Sequence, residues 1–388
     1  MHIRLDSSLQ NVDLSSDMTA CSGLECILNA VRRGEHFVFG DRKTLTHLQK
    51  SQSLSLAARR VLSHIVSNFS TFAPLSRSLS IHVVISYDER KEPVRLSDHE
   101  WDVPLLFIGI NGLAKAVLVT ENLDDANLFE HAARQYATSN RIGCQIALTK
   151  LGGGGSTTPD CLMNAVVVER NWVLCISDSD RLHPGQEKDS TAKKCEGFAA
   201  ISGAVCSYWD IPSREVENII PLIFFEEAVP PTHSLAWERH RNEIFSQLPH
   251  AHHHGDLKFG VSLRKIFSYD ANTPQKIFWT KVANDLATKG VFTSACLSSS
   301  QCATISTPSA CQCFVVQGFG DKLLEAVVKL LGRRSVHRSC QAVASDPNAT
   351  HWFEIGRRVF EWGFALPRMS VYDASSDGPL PADQSHSY

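Results

Sequence analysis

No stretch of this sequence approaches the roughly 18 consecutive apolar residues that a membrane-spanning helix needs. Its opening "MHIRLDSSLQNVDLSSD" lacks the apolar centre of a signal peptide, so the expectation is a cytoplasmic protein with no membrane partner. Excess positive charge is also missing: 38 Lys+Arg stand against 41 Asp+Glu, a formal net charge of −3. That excludes the global basic field of many nucleic-acid binders while leaving room for a local basic groove. No GxxxxGK[ST] occurs, so any P-loop ATPase must lie on another chain. Nor is there a CxxC pair: Cys296, Cys302, Cys311 and Cys313 form the densest cysteine group without the spacing by which one turn presents two ligands to zinc. The other cysteines, among them Cys21, Cys26, Cys144, Cys161, Cys175, Cys195 and Cys206, are scattered and several fall inside apolar runs, as suits small buried hydrophobes in a reducing compartment. "HAHHH" at 250–254 reads as a solvated loop rather than a chelating cluster. No internal repeat is present.

The 388 residues, 43% hydrophobic and 20% charged, have the composition of a globular protein of two or three domains. Residues 1–112 alternate helical stretches with a strand-like "SIHVVISYD", and they either form a separate docking region or extend the next sheet. From 113 to 265 strands and helices alternate, which predicts a parallel or mixed sheet covered by helices. The strands are "KAVLVTE" (115–121), "IGCQIALTKL" (142–151), "WVLCISDSD" (172–180) and "GAVCSYWDI" (203–211). "LDDANLFEHAARQYATS" reads as a helix with Asp124 and Asp125 at its positive end, and "DSTAKKCEGFAAI" as another. "SREVENIIPLIFFEEAV" reads as one helix with Ser213 as N-cap. Residues 266–370 form a mainly helical region, with amphipathic patterns at 321–334 and 352–367, and 371–388 has the composition of a disordered tail.

Chemistry concentrates where strands end. Glu121 closes one buried strand, and Asp178 and Asp180 close another. In a parallel sheet such ends lie along one edge, where carboxylates distant in sequence converge. Converging anions raise one another's pKa unless a cation stands between them, and oxygen-only donors select Mg²⁺ or Mn²⁺. Alternate residues of an extended chain point to the same side, so Asp178 and Asp180 can reach one ion or a close pair. A DxD alone also fits a phosphatase with Asp178 as nucleophile, or a glycosyltransferase.

The order of these residues resembles the Toprim domain, the metal-binding fold of topoisomerases, primases and the overcoming-lysogenization-defect nucleases. The matching features are a strand ending in Glu121, Asp125 four residues on, the turn "LGGGG", and a strand ending in Asp178-Ser-Asp180. Asn122 stands where the motif has Gly. "SREVENIIP" is similar to the Arg-Glu-x-Glu-Asn segment of the nuclease branch, which maps its metal-facing glutamate to Glu217. On a helix Glu215, two residues away, would point elsewhere. "GDLKFGVS" resembles the lysine loop of the same nucleases and gives Lys258.

The resemblance implies a Toprim-like sheet of mostly parallel strands flanked by helices, with α/β or helical extensions at both ends. It implies a metal-dependent endonuclease acting on DNA, or on RNA, with Mg²⁺ or Mn²⁺ held by Glu121, Asp125, Asp178, Asp180 and Glu217. Glu121 and Glu217 would serve one ion and Asp178 with Asp180 the other, Asp125 would act behind them or through water, and Lys258 would stabilise the transition state. It further implies the effector of a bacterial anti-phage defence system working with a separate ATPase, reverse transcriptase or other sensor. The alternatives are a catalytically inactive sensor or assembly subunit, and the DxD phosphatase. Arg170, Arg181, Lys188, Lys193 and Lys194 flank the acidic edge as a candidate phosphate track. The glycine run at 152–155 is read equally as a phosphate cradle or a flexible loop.

Overall fold

The structure is a computed structural model that describes residues 1–201, 203–290, 297 and 313–369. It is built on two sheets. The first comprises β1 (His2–Leu5), β2 (Phe37–Gly40), β3 (His82–Ser86), β4 (Val94–Arg95) and β5 (Glu100–Pro104), in the order β2-β1-β3-β5-β4, with only β4 antiparallel. β2 is buried along its whole length, as a continuous apolar run between helical layers should be. Residues 1–112 thus have a sheet of their own and do not extend the next one. Their helix Met18–Arg32 lies so close to the helix Leu105–Asn111 that a Cβ on Gly23 would stand 2.6 Å from the Leu105 carbonyl oxygen.

The second sheet is entirely parallel. β6 (Ala116–Thr120), β8 (Leu148–Gly152), β9 (Val173–Ser177) and β10 (Cys206–Asp210) take the order β10-β9-β6-β8. β6 and β9 are buried throughout, and β-branched Val117, Val119 and Val173 pack with Cys175, Cys195 and Cys206 on one face. The predicted strand 142–151 breaks in two at Ala147, because β7 (Gln145–Ile146) leaves the sheet to pair with β13 (Phe364–Ala365). After β6 the chain crosses to β8 on one side, while β9 and β10 lie on the other. The carboxyl ends of β6 and β9 therefore flank a topological switch point, where open parallel sheets leave a crevice.

The helix Leu123–Ser139 covers this sheet with the expected boundaries, and Asn122 caps it. The helix Ala349–Gly363 packs along it, with Gly356 pressed onto the Ala132 carbonyl. A short sheet of β11 (Val261–Ser262) and β12 (Phe314–Val316), with helices that include Pro274–Thr288 and Leu323–Arg333, completes the C-terminal part. One apolar core runs through both sheets and the C-terminal helices.

Two expectations need correction. Residues 213–229 are not one helix capped by Ser213: a 3₁₀ turn spans Val216–Ile219, Pro221 interrupts, and a helix restarts at Leu222–Ala228. Proline cannot donate the backbone hydrogen bond a continuous helix needs there. "HAHHH" is not a solvated loop but part of a helix, Pro249–His254, with His252 and His254 buried. Among the described residues no helix is long and apolar enough to cross a membrane. The tail 371–388 and Cys296, Cys302 and Cys311 lie outside the described residues.

Candidate functional site

Glu121 follows β6 and Asp178 follows β9, and these adjacent strands bring them into contact: the Asp178 backbone N–H donates to Glu121 Oε1 at 3.2 Å. The glycine turn fastens the same edge, since Gly153 N–H donates to the Thr120 carbonyl (2.7 Å) and Gly154 N–H to that of Glu121 (2.8 Å). A Cβ on Gly153 would stand 2.6 Å from Thr158 Cα, so only glycine fits there. The run is a fixed turn, not a flexible loop, and it leads into a helix of six residues, Thr158–Met163.

Asn122 and Asp125 form a capping box. Asn122 Oδ1 accepts from the N–H groups of Asp124 (2.9 Å) and Asp125 (3.1 Å), while Asp125 accepts from Asn122 N (3.0 Å) and Nδ2 (2.9 Å). An amide side chain at 122 therefore has a structural use that glycine could not supply. Both Asp125 oxygens are engaged, and this residue, 4% exposed, stands behind the crevice. Burial, then the charges of Glu217 and Glu121, push its pKa up to about 7, against the Asn122 hydrogen bond.

The Asp178-Ser-Asp180 tip departs from the expected geometry. β9 ends at Ser177 and Asp180 has φ 52°, so strand alternation does not extend through the motif. The buried Ser179 is the reason: its hydroxyl donates to the Ser213 carbonyl (2.6 Å), and the N–H groups of Ser179 and Asp180 both donate to the Arg214 carbonyl (3.2 and 3.0 Å). Asp178 turns inward and accepts from Val216 N–H at 3.0 Å. Burial, then Asp125, Glu121 and Glu217, hold it well above the usual carboxylate range. Asp180 turns outward and is exposed; burial of its carboxylate and the charge of Asp189 raise it, opposed by Arg214. Glu121 spans the two, raised by burial and then by Asp180.

Glu217 projects from the 3₁₀ turn and is 0% exposed. Lys258 Nζ lies 3.3 Å from its Oε1, and apart from that ion pair neither oxygen has a hydrogen-bond partner. Burial raises Glu217, and Lys258 opposes the rise. Burial works against the ammonium in turn, but Glu217, Glu215 and Asp178 outweigh it and hold Lys258 above its ordinary value. Glu215 is buried too and pairs with Arg214 at 3.1 Å; it sits in extended backbone before the 3₁₀ turn, so the helical spacing expected to separate it from Glu217 does not apply, and its charge also acts on Lys258.

Asn218 pins this turn: its Nδ2 donates to the carbonyls of His252 (2.6 Å) and Gly255 (3.0 Å), its Oδ1 accepts from Glu215 N–H (2.8 Å), and its own carbonyl bonds His252 Nε2 (2.8 Å). The buried histidines are thus struts of the site, with His240 Nε2 bonded to His252 Nδ1 at 3.0 Å. The Lys258 loop is held by Gly260 (φ 83°), whose missing Cβ would meet Gly318 N and the Val316 carbonyl at 2.8 Å.

Glu121, Asp178, Glu217 and Lys258 thus lie close enough to act on one another's charge, with Asp125 behind them and Asp180 exposed beside Glu121. Sequence reasoning missed Asp189, which caps the helix Ser190–Ile201 through Thr191 N–H (3.0 Å) and Ala192 N–H (2.8 Å) and raises both Asp180 and Glu121. Its N-cap position was legible, but not its direction. Also missed was Asp256, between Arg214 (3.3 Å) and Lys265 (3.4 Å). The expected phosphate track is largely spent on acids. Arg181 and Lys188 both pair with Asp210 at 2.8 Å, Lys193 pairs with Glu187, and Arg170 pairs with Glu92 at 3.4 Å, leaving Lys194 exposed.

The donor set suits a hard divalent cation: every candidate ligand is a carboxylate, and Glu217 keeps two buried oxygens without a hydrogen-bond donor. Among the described residues no group of three or more acids, histidines or cysteines is already drawn together as a metal site. Lys258 is the positive charge the acids share as they stand. Comparisons with protein-family models, with curated proteins and with solved structures found no match to this chain.

Proposed function

We propose that this chain is a metal-dependent nuclease of the Toprim type that hydrolyses phosphodiester bonds of DNA. The observation that carries the reading is the convergence, at the switch point of a parallel sheet, of acids from three separate segments around one lysine. Anions placed so closely in a partly dry crevice have a use only where positive charge arrives. Glu121, Asp178 and Glu217 would hold Mg²⁺ or Mn²⁺, with Asp180 at the mouth and Asp125 behind them. The bound ions supply an activated water and neutralise charge on the phosphate. Lys258, tethered by Glu217, would offset charge on a phosphate oxygen or on the leaving oxygen. Ser179 and Asn218 fix the geometry of the acids without touching substrate.

The defence role and the separate ATPase, reverse transcriptase or other sensor rest on the resemblance. The test is plasmid cleavage with Mg²⁺ or Mn²⁺ by the wild type, Asp178→Asn and Lys258→Met, alone and with the products of neighbouring genes. Nicking or linearisation by the wild type alone supports the nuclease. Equal cleavage by all three, or turnover of a phosphomonoester through an aspartyl-phosphate on Asp178, defeats it.

A further inference from the structure

Between Asp41 and Asp88 lie 46 residues with no Asp or Glu, but with Arg42, Lys43, Lys50, Arg59, Arg60 and Arg77. In a chain whose net charge is −3, this one stretch carries +6. It folds into the helices Arg42–Gln49, Leu56–Ser67 and Phe69–Ser78, the first two packed side by side. Arg42 reaches the Phe69 ring at the start of the third, 5.9 Å from its centroid. The apolar sides face the core through Leu45, Leu48, Val61, Leu62 and Ile65, which leaves the basic side chains on the outer surface. Arg42, Lys43, Lys50, Arg60 and Arg77 are exposed, and Arg59 is half-buried.

Arg170, Arg181, Lys188 and Lys193 near the acidic crevice are paired with acids, and five of the cations on these helices differ. Among the described residues none of Arg42, Lys43, Lys50, Arg59 and Arg77 has a carboxylate within 4.0 Å. The two carboxylates closest at hand are committed to helix starts: Asp41 accepts from Thr44 N–H at 2.9 Å, and Glu25 from the N–H and hydroxyl of Ser55. Uncompensated like charge destabilises the fold by self-repulsion, and a polyanion removes that repulsion.

We infer that this face is a phosphate-backbone platform for double-stranded DNA, which answers what the N-terminal layer does; the inference deepens the nuclease reading and rests on it. The cations are spread along helices of eight, 12 and 10 residues instead of closing on one point, which fits a line of phosphates and not a single anion. Ser51, Gln52, Ser53, Ser70 and Thr71 lie among them, side chains that commonly contact phosphate. A membrane surface fits poorly, because a helix lying in lipid exposes an apolar face. Leu56, 57% exposed, is the one large hydrophobe exposed in this stretch. Charges and small polar side chains contact phosphate rather than base edges, so the inferred binding is nonspecific.

The test is fluorescence anisotropy of the full-length protein with a labelled mixed-sequence duplex in EDTA, which reads binding without cleavage. Titrations at several NaCl concentrations compare the wild type, the triple variant Lys43→Glu/Lys50→Glu/Arg77→Glu, and the control Lys281→Glu/Lys289→Glu/Lys322→Glu. Thermal melting verifies that each is folded. The platform variant should bind at least about tenfold more weakly at 100 mM salt, with a slope of log K against log [NaCl] shallower by about 2 to 3, near 0.9 for each phosphate no longer neutralised. The control should match the wild type. Equal weakening of both variants, binding of single-stranded RNA or anionic vesicles in preference to the duplex, or no duplex binding at all overturns the proposal. A protein that binds DNA through this face but cuts nothing with Mg²⁺ or Mn²⁺ upholds the platform and defeats the nuclease. Cleavage that survives loss of the platform does the reverse.

Discussion

Replacing Lys258 with methionine should destabilise the protein far more at pH 8 than at pH 5. Lys258 lies 3.3 Å from Glu217, whose side chain is 0% exposed, while its own is 27% exposed. At that separation an effective dielectric of about 20 gives an attraction of about 5 kcal/mol, from which the residual solvation of the lysine subtracts. Removing one member of a buried pair typically costs about 3–5 kcal/mol, because the other charge is left uncompensated. We expect a loss of about 3 kcal/mol at pH 8, read from urea midpoints and slopes. Glu217 and Asp178 both have raised pKa values, so acidification lets the orphaned acids take protons, and the loss should fall below about 1 kcal/mol near pH 5. Glu217→Gln in the Lys258→Met background should recover about half of the loss, because it removes the charge the lysine answered. A loss equal at both pH values, or a double variant weaker than the sum of the single ones, would refute the view that Lys258 is the counter-ion of this crevice.

Other consequences follow from the same geometry. Asp125 and Glu215 are pushed up to about 7, so between roughly pH 4 and 7 the folded protein holds protons that the unfolded chain has released. Metal-free protein should therefore lose stability as pH rises through that window, and millimolar Mn²⁺ at pH 8 should raise its melting temperature; a flat profile and no shift would contradict this. Asn218→Ala strips partners from two buried carbonyls and one buried N–H and should cost about 2–4 kcal/mol, with the proposed cleavage lost as well. Gly153→Ala must displace Thr158 and should cost about 1–3 kcal/mol by urea denaturation, where an open loop would show no change. Asn122→Ala should cost about 1 kcal/mol through the lost cap, which the same measurement resolves.

The second sheet was legible because β6 and β9 are short, continuously apolar and β-branched, and because Asp124 and Asp125 mark the positive end of the Leu123–Ser139 helix. Glu121, Asp125, Asp178, Glu217 and Lys258 could be picked out because each sits at an element's end or in a short motif. The misses have one cause. Local spacing implied an extended DxD, but the partner that bends it, the Ser213–Arg214 backbone, lies 34 and more residues away. The histidine run looked solvated because nothing within it shows that Asn218 needs its carbonyls. Asp210 neutralises Arg181 and Lys188 only because β10 runs beside β9, and charge patterning along the chain cannot show that.

The hydrogen bonds of Asn348 have a consequence for the order of synthesis. Its Nδ2 donates to the carbonyls of Asn218 (3.3 Å) and Ile220 (3.0 Å), so a residue far downstream closes the turn that carries Glu217. The helix that follows, Ala349–Gly363, then clamps the one that bears Asp125. A nascent chain that has not yet released residues 348–363 from the ribosome cannot complete the crevice, however well its first sheet has formed. For the nuclease proposed above, the cutting site would thus form only after these late residues have been made.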